Sequence, residues 1–263
     1  MPEGDTIWRT ARALQAALGG RTVTAFSSTL PAVAAAARRF GLVGRSVERV
    51  EAKGKHLLVR FGGGAVLHTH QGMTGSWHLY RRGSRWRHAP HLARAVLEAG
   101  EVVAVCFRAP RVELLTAAEA ARQGSLVHLG PDVMAEAFDA AVARARLRAA
   151  GDVDIGAALL QQSRLAGIGN LYKSEVLFRC GLSPFARVAA LSDEVLDRVV
   201  ATARGQMRGN RDAASRRTTR LVSVQHWVYR RSGRPCLRCG TTIERRLQGD
   251  PPRSTYFCPA CQA

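Results

Sequence analysis

The residues best suited to covalent chemistry come first: Pro2 followed by Glu3. Removal of Met1 ahead of a small residue would leave Pro2 with a free secondary amine. An α-amine titrates at about 7.7–8.0, against roughly 10.4 for lysine, so it is partly neutral and nucleophilic at working pH. A secondary amine that attacks an aldehyde-like carbon yields a cationic iminium, which is a good electron sink. Glu3 stands beside it to move protons. The same pair also suits simple methionine removal and the capping of a helix, so these two residues alone leave both readings open.

A second chemistry lies at the other end. Cys236 and Cys239 form one CxxC pair and Cys258 and Cys261 another, with eighteen residues between the pairs. That is the spacing of a tetrahedral zinc ribbon. Four thiolates leave no open coordination position, so one structural Zn2+ is expected, and a module of about thirty residues needs it to fold. Cys106 and Cys180 stand in apolar surroundings and are expected to be buried packing residues.

The charge balance narrows the partner. Lys and Arg total 39 against 20 Asp and Glu, a formal net charge of +19. Such an excess suits a polyanion, nucleic acid above all. Lysine is rare: Lys53, Lys55 and Lys173 are the only ones, and the other 36 basic residues are arginine. Positions that stay lysine are candidates for chemistry that a guanidinium cannot do. No apolar run is long enough to span a membrane and no secretory pattern opens the chain, so a cytoplasmic protein with no membrane partner is expected.

These groups need elements to hold them. Ile7, Ala11, Leu14 and Leu18 predict a helix right behind Pro2, ended at Gly19-Gly20. Strand patterns follow over 21–26, 47–50, 56–61, 65–69, 76–80, 93–98, 101–107 and 112–115, which predicts a β-sandwich or flattened barrel. Lys53-Gly54-Lys55-His56 opens one strand, and Arg60, Arg81, Arg82, Arg85 and Arg87 are candidates for a shared basic face. Gln71-Gly72-Met73-Thr74-Gly75 is a glycine-flanked loop; Met73 there could be core or an outward wedge. Beyond Leu129-Gly130-Pro131-Asp132 the pattern turns helical, over 134–149, 155–162, 171–180 and 192–207. Met134, Phe138, Val142 and Ala145 are expected on one face of the first. Gly167-Ile168-Gly169-Asn170 suits an approach to phosphate at a helix N-terminus, or plain capping by Asn170. The basic stretch 208–220 reads as surface.

In combination these motifs resemble the formamidopyrimidine-DNA glycosylase/endonuclease VIII family. The likeness runs through Pro2-Glu3-Gly4, Gly54-Lys55-His56-Leu57-Leu58, Leu129-Gly130-Pro131-Asp132, residues 165–172 and residues 253–262, in that order. It implies an α+β protein. An N-terminal β-sandwich with a flanking helix spans 1–128, a helical helix-two-turns-helix domain 129–228, and a zinc finger 229–263. It also implies a bifunctional glycosylase/AP lyase of base excision repair. Such an enzyme removes oxidised bases from damaged double-stranded DNA and cuts the strand by β,δ-elimination; whether single strands or bubbles are also accepted is left open by the sequence. By the resemblance Pro2 is the Schiff-base nucleophile, Glu3 the general acid/base and Lys55 a catalytic phosphate contact. Asn170 and Arg253 hold phosphates, Arg253 also donates a proton in the last elimination, and Met73 fills the gap left by the flipped base. A nucleoid-associated monomer is implied. Two departures stand out. Asp5-Thr6 follows Gly4 where many members have Pro-Glu. No Arg-x-Phe wedge occurs near residues 108–111, which points to the endonuclease VIII branch and oxidised pyrimidines. A non-catalytic DNA binder and an amino-terminal-proline tautomerase are the alternatives; the second explains neither the charge nor the cysteines.

Overall fold

Helix α1 (Gly4–Leu18) starts directly after Pro2-Glu3 in the computed structural model, which describes residues 2–213, 215–221 and 223–262. The expected apolar face is the buried one: Ile7, Ala11, Leu14 and Leu18 are each at most 4% exposed. Burying each of the larger side chains contributes roughly 1.5–3 kcal/mol. Gln15 pins the other flank, its Oε1 accepting from the Val50 backbone N–H at 2.6 Å.

The chain divides into two compact units, Met1–Val127 and His128–Ala263. In the first, α1 is followed by β1 (Ala25–Ser27), α2 (Pro31–Arg39), β2 (Val47–Lys53), β3 (His56–Phe61), β4 (Ala65–His70) and β5 (Ser76–Arg81). Strands β6 (Ala93–Ala99), β7 (Val102–Phe107) and β8 (Arg111–Thr116) and the short helices α3 (Ala117–Arg122) and α4 (Gly124–Val127) complete it. The strands form two antiparallel four-stranded sheets, ordered β1-β6-β7-β5 and β2-β3-β4-β8. Leu57, Val59, Phe61 and Leu67 from one sheet and Ala95, Leu97, Ala104 and Cys106 from the other join the α1 face in one apolar cluster. The unit is thus a sandwich with a flanking helix, as expected. Some local readings differ, the unforeseen short helices α3 and α4 among them. The strand expected over 21–26 contracts to Ala25–Ser27, with Thr22 making only an isolated bridge to Ser46. Helix α2 was not foreseen; it opens on Pro31, whose fixed φ suits a first helical turn, and buries Val33 and Ala37.

The second unit holds α5 (Ala140–Arg148), α6 (Ile155–Ala158), α7 (Asn170–Cys180), α8 (Asp193–Gly209) and the hairpin β9 (Glu244–Gln248)–β10 (Arg253–Phe257). The helix expected over 134–149 begins only at Ala140. The Asp139 carboxylate accepts from the Ala141 and Val142 N–H groups, which starts the helix there and turns a different face inward. Ala143 and Leu147 are buried, whereas Val142 is 44% exposed. Helix α6 stops after four residues, well short of 162. Helix α7 ends as expected on Gly181, whose φ of +63° is one a side chain would resist. In the basic stretch 208–220, Asn210, Thr218 and Thr219 are buried; Ala214 lies outside the described residues.

Candidate active site and metal centre

Pro2 is half-buried and Glu3 is only 1% exposed. Glu3 occupies the N-cap position of α1: its backbone oxygen accepts from Thr6 N at 2.9 Å and Ile7 N at 3.1 Å, but its carboxylate makes no capping bond. The capping explanation of this glutamate therefore fails, and the acid is left as a buried group beside Pro2 at the positive end of a fifteen-residue helix. Met1, and with it the expected removal of that residue, lies outside the described residues.

Lys55 sits at the tip of a tight hairpin. Lys53 pairs with His56 across β2 and β3, and Gly54-Lys55 is the connecting turn. Gly54 has φ +59°, which a side chain would resist, so the glycine sets where Lys55 stands. Lys55 is half-buried while Lys53 is exposed. Beside it lies a polar chain that sequence reasoning did not single out. His56 Nδ1 lies 2.8 Å from His68 Nε2, and His68 Nδ1 lies 3.1 Å from Glu113 Oε2, which also accepts from Gln123 Nε2 at 2.7 Å. The His70 ring is 4.9 Å from that of His56. Burial pushes the His56 imidazole down to about 3, helped by His70, His68, Arg111 and Lys55. His68 and His70 are lowered too, chiefly by burial. The three imidazoles are therefore neutral at pH 7. The signal for it is strand register: His56 faces His70 and Leu58 faces His68 across β3 and β4.

Met73 is 69% exposed, so it is not core. The loop that lifts it closes when Gly75 N donates to Gln71 O at 2.7 Å; a Cβ on Gly75 would stand 2.4 Å from that oxygen. Three of the arginines considered for a shared basic face divide between the two sheets. Arg60 lies in the β2-β3-β4-β8 sheet and binds Glu51 at 2.7 Å, whereas Arg81 and Arg82 lie by the other sheet, near Glu101 and Glu98.

In the second unit, Gly169 is the N-cap of α7 and Asn170 its first residue. Asn170 does not cap: its Nδ2 donates to Ser254 O at 2.7 Å, and its buried Oδ1 has no partner. Gly167, at φ +99°, shapes the turn before it and donates from its N–H to Gln162 Oε1 at 3.1 Å. Arg253 opens β10 and is exposed, directly before the Ser254 that Asn170 holds. Asn170 and the Arg253 segment, 83 positions apart in the chain, are therefore neighbours. Lys173 is fully buried, its Nζ 2.7 Å from Thr255 Oγ1.

The four C-terminal cysteines converge, with all sulfur atoms within 4.8 Å of one another. Cys236–Cys261, Cys239–Cys258 and Cys239–Cys261 are 4.0, 3.5 and 3.4 Å apart. Zinc–thiolate bonds of about 2.3 Å put tetrahedral sulfurs roughly 3.8 Å apart, so the donor set fits that ion. Hydrogen bonds from Thr241 first, then from Cys261 and Cys258, hold the Cys239 thiol down at about 6, while burial and then the neighbouring thiols push Cys261 up to about 12. Four thiols this close cannot all ionise unless a cation sits among them. Cys236 and Cys258 pack with Phe178, Val228 and Ile243. Of the two other cysteines, Cys106 is buried as expected, but Cys180 is only half-buried, against the Thr202 hydroxyl.

Comparison with known proteins covers the whole chain. Residues 1–112 match the formamidopyrimidine-DNA glycosylase N-terminal domain and residues 129–215 the formamidopyrimidine-DNA glycosylase H2TH domain. The probable endonuclease 8 2 of Streptomyces coelicolor is 42% identical, over all of this chain and 94% of its own length. The DNA-(apurinic or apyrimidinic site) lyase Nei2 of Mycolicibacterium smegmatis is 38% identical, over all of this chain and 99% of its own. In fold, the chain matches the Lactococcus lactis Fpg crystallised with abasic-site DNA, with a TM-score of 0.85 at 21% identity, covering 99% of both chains. With two of the family's domain models matched in order and relatives of this identity along its full length, the chain belongs to the formamidopyrimidine-DNA glycosylase/endonuclease VIII family.

Proposed function

We propose that this DNA glycosylase and AP lyase of base excision repair works through Pro2 as its nucleophile, on oxidised pyrimidines above all. The observation that carries the reading is the Pro2-Glu3 pair itself: an acid 1% exposed, not spent on capping, beside an imino acid at the entrance of a helix.

The chemistry follows from the groups. The free amine of Pro2, once Met1 is gone, attacks C1′ of the flipped nucleotide and the damaged base leaves as it takes up a proton. The nitrogen lone pair then forms the iminium. Glu3 moves the protons that ring opening requires. Loss of a C2′ proton expels the 3′ phosphate, and a second elimination expels the 5′ phosphate, with Arg253 as proton donor. Lys55 assists and touches phosphate. Flipping costs a few kcal/mol; the exposed Met73 filling the gap, and Asn170 and Arg253 gripping phosphate, offset that cost. The pyrimidine preference is supported by Arg108-Ala109-Pro110-Arg111, which lacks an Arg-x-Phe wedge. The enzyme acts as a monomer on damaged duplex DNA in the cytoplasm, and one structural zinc on Cys236, Cys239, Cys258 and Cys261 holds the ribbon. We read three modules, 1–128, 129–228 and 229–263.

The test is borohydride trapping on DNA with an abasic site. A covalent adduct mapping to the Pro2 peptide is expected. Pro2→Gly should keep its affinity for abasic-site DNA and lose most base excision. An adduct mapping elsewhere, or full excision by Pro2→Gly, refutes the assignment.

A further inference from the structure

Lys173 is one of only three lysines, and nothing in the reaction above uses it. It is fully buried on α7, one turn after Asn170. Its Nζ donates to Thr255 Oγ1 at 2.7 Å and reaches Ser254 O at 3.4 Å. Asn170 Nδ2 donates to that same Ser254 oxygen at 2.7 Å. Two side chains of one helix thus grip the backbone immediately after Arg253.

The grip continues inward with a consistent direction. Thr255, having accepted from Lys173, donates its hydroxyl to Gln248 Oε1 at 3.0 Å. Gln248 donates through Nε2 to Pro184 O at 2.7 Å and Asp154 Oδ2 at 3.1 Å. A chain of donors therefore runs from a buried ammonium to a carboxylate and crosses both strands of the β9–β10 hairpin, in which Arg253 faces Gln248. Gly156 makes room for it: a Cβ there would stand 2.4 Å from Gln248 Oε1. Burying an ammonium is costly unless its hydrogen bonds are met. A neutral side chain of similar length would fill this space at lower cost, so packing alone does not account for the lysine.

We infer that Lys173 is a positioning residue for the phosphate grip: with Asn170 it fixes the Ser254 backbone on α7 and thereby holds the Arg253 guanidinium in place for DNA. This rests on the reading that Arg253 and Asn170 hold phosphate. An amide nitrogen carries two hydrogens, so Asn170 can serve Ser254 with one and a phosphate with the other.

The experiment is a double-mutant cycle on the full-length protein, using a duplex with a tetrahydrofuran abasic analogue and reading Kd by fluorescence anisotropy. Lys173→Met is expected to weaken binding about tenfold, which corresponds to ~1.4 kcal/mol. It should raise KM in the same proportion and leave single-turnover excision at saturation nearly unchanged. In the Arg253→Ala background the same substitution should cost no more than about twofold, because the group it positions is gone. Equal losses in both backgrounds overturn the inference while leaving the phosphate reading intact. Unchanged affinity in Arg253→Ala overturns that reading, and the inference with it. Zinc content by native mass spectrometry reports folding. If Lys173→Met loses zinc, Thr255→Val and Thr255→Ser carry the test: the first should reproduce the coupled loss and the second restore binding, and the same affinity in both overturns the inference.

Discussion

Replacing Glu175 with alanine should be among the most damaging single changes in the second unit. Glu175 lies on α7 with no exposure, and its two oxygens are fully used. Oε1 accepts from the backbone N–H groups of Val228 and Tyr229, each at 2.8 Å. Oε2 accepts from Trp227 N at 2.9 Å and from the Thr218 hydroxyl. Three successive N–H groups therefore point at one carboxylate, and it ties Thr218 and residues 227–229 to α7. Alanine orphans all of them. Val228 N is deeply buried and loses its partner outright, at a cost of up to about 3 kcal/mol; the other two are part-buried and regain some water, at about 1 kcal/mol each. A total of about 3–5 kcal/mol is expected, against roughly 5–15 kcal/mol for a whole domain. Glu175→Gln keeps one carbonyl oxygen for the Val228 and Tyr229 donors but turns an amide nitrogen towards Trp227 N, so it should lose about half as much. The damage should spread to the metal centre, because Val228 packs with Cys236 and Cys258 and Trp227 stacks on Phe178 at 5.6 Å. Urea unfolding followed by Trp227 fluorescence gives the free energy, and hydrogen exchange of the peptide spanning 227–229 gives the local effect. A loss below 1 kcal/mol in Glu175→Ala, or unchanged exchange at those three amides, would refute this account.

Two further predictions concern protons and metal. His56 titrates near 3 in the folded chain and near 6.5 unfolded, so between those values the unfolded chain takes up a proton that the native one refuses. Stability of the first unit should therefore fall as pH drops from 6.5 towards 3, by a few kcal/mol in all. In His56→Gln the urea midpoint should fall less steeply over that range, and an unchanged slope would remove His56 as the cause. Stripping zinc with a chelator should unfold the hairpin around the cysteines and abolish binding to abasic-site DNA. Native mass spectrometry should show one zinc per chain beforehand, and full binding by metal-free protein would exclude a structural metal.

The sequence by itself was enough for whatever depends on local periodicity or short spacing. The α1 face, most of the strands, the Gly181 stop and the paired cysteines are properties of neighbouring residues, and each stands where the pattern places it. Capping decided one of the differences. Asp139 starts α5 six residues late because a side chain competes for the first free N–H groups, which hydrophobic period does not register. Met73 by residue type alone reads more readily as core than as a loop tip, and it is the closed Gln71–Gly75 turn that carries it outward.

Tertiary structure alone decided the partners across long separations. That Asn170 and Lys173 meet Ser254 and Thr255, that Glu175 holds 227–229, and that His56 and His68 lead to Glu113 are facts of packing. Residue type tells which groups can donate or accept. Which of them meet is settled when strands and helices distant in the chain bury their apolar faces together. The polar atoms carried inside with those faces must then find one another, because water is no longer there to serve them.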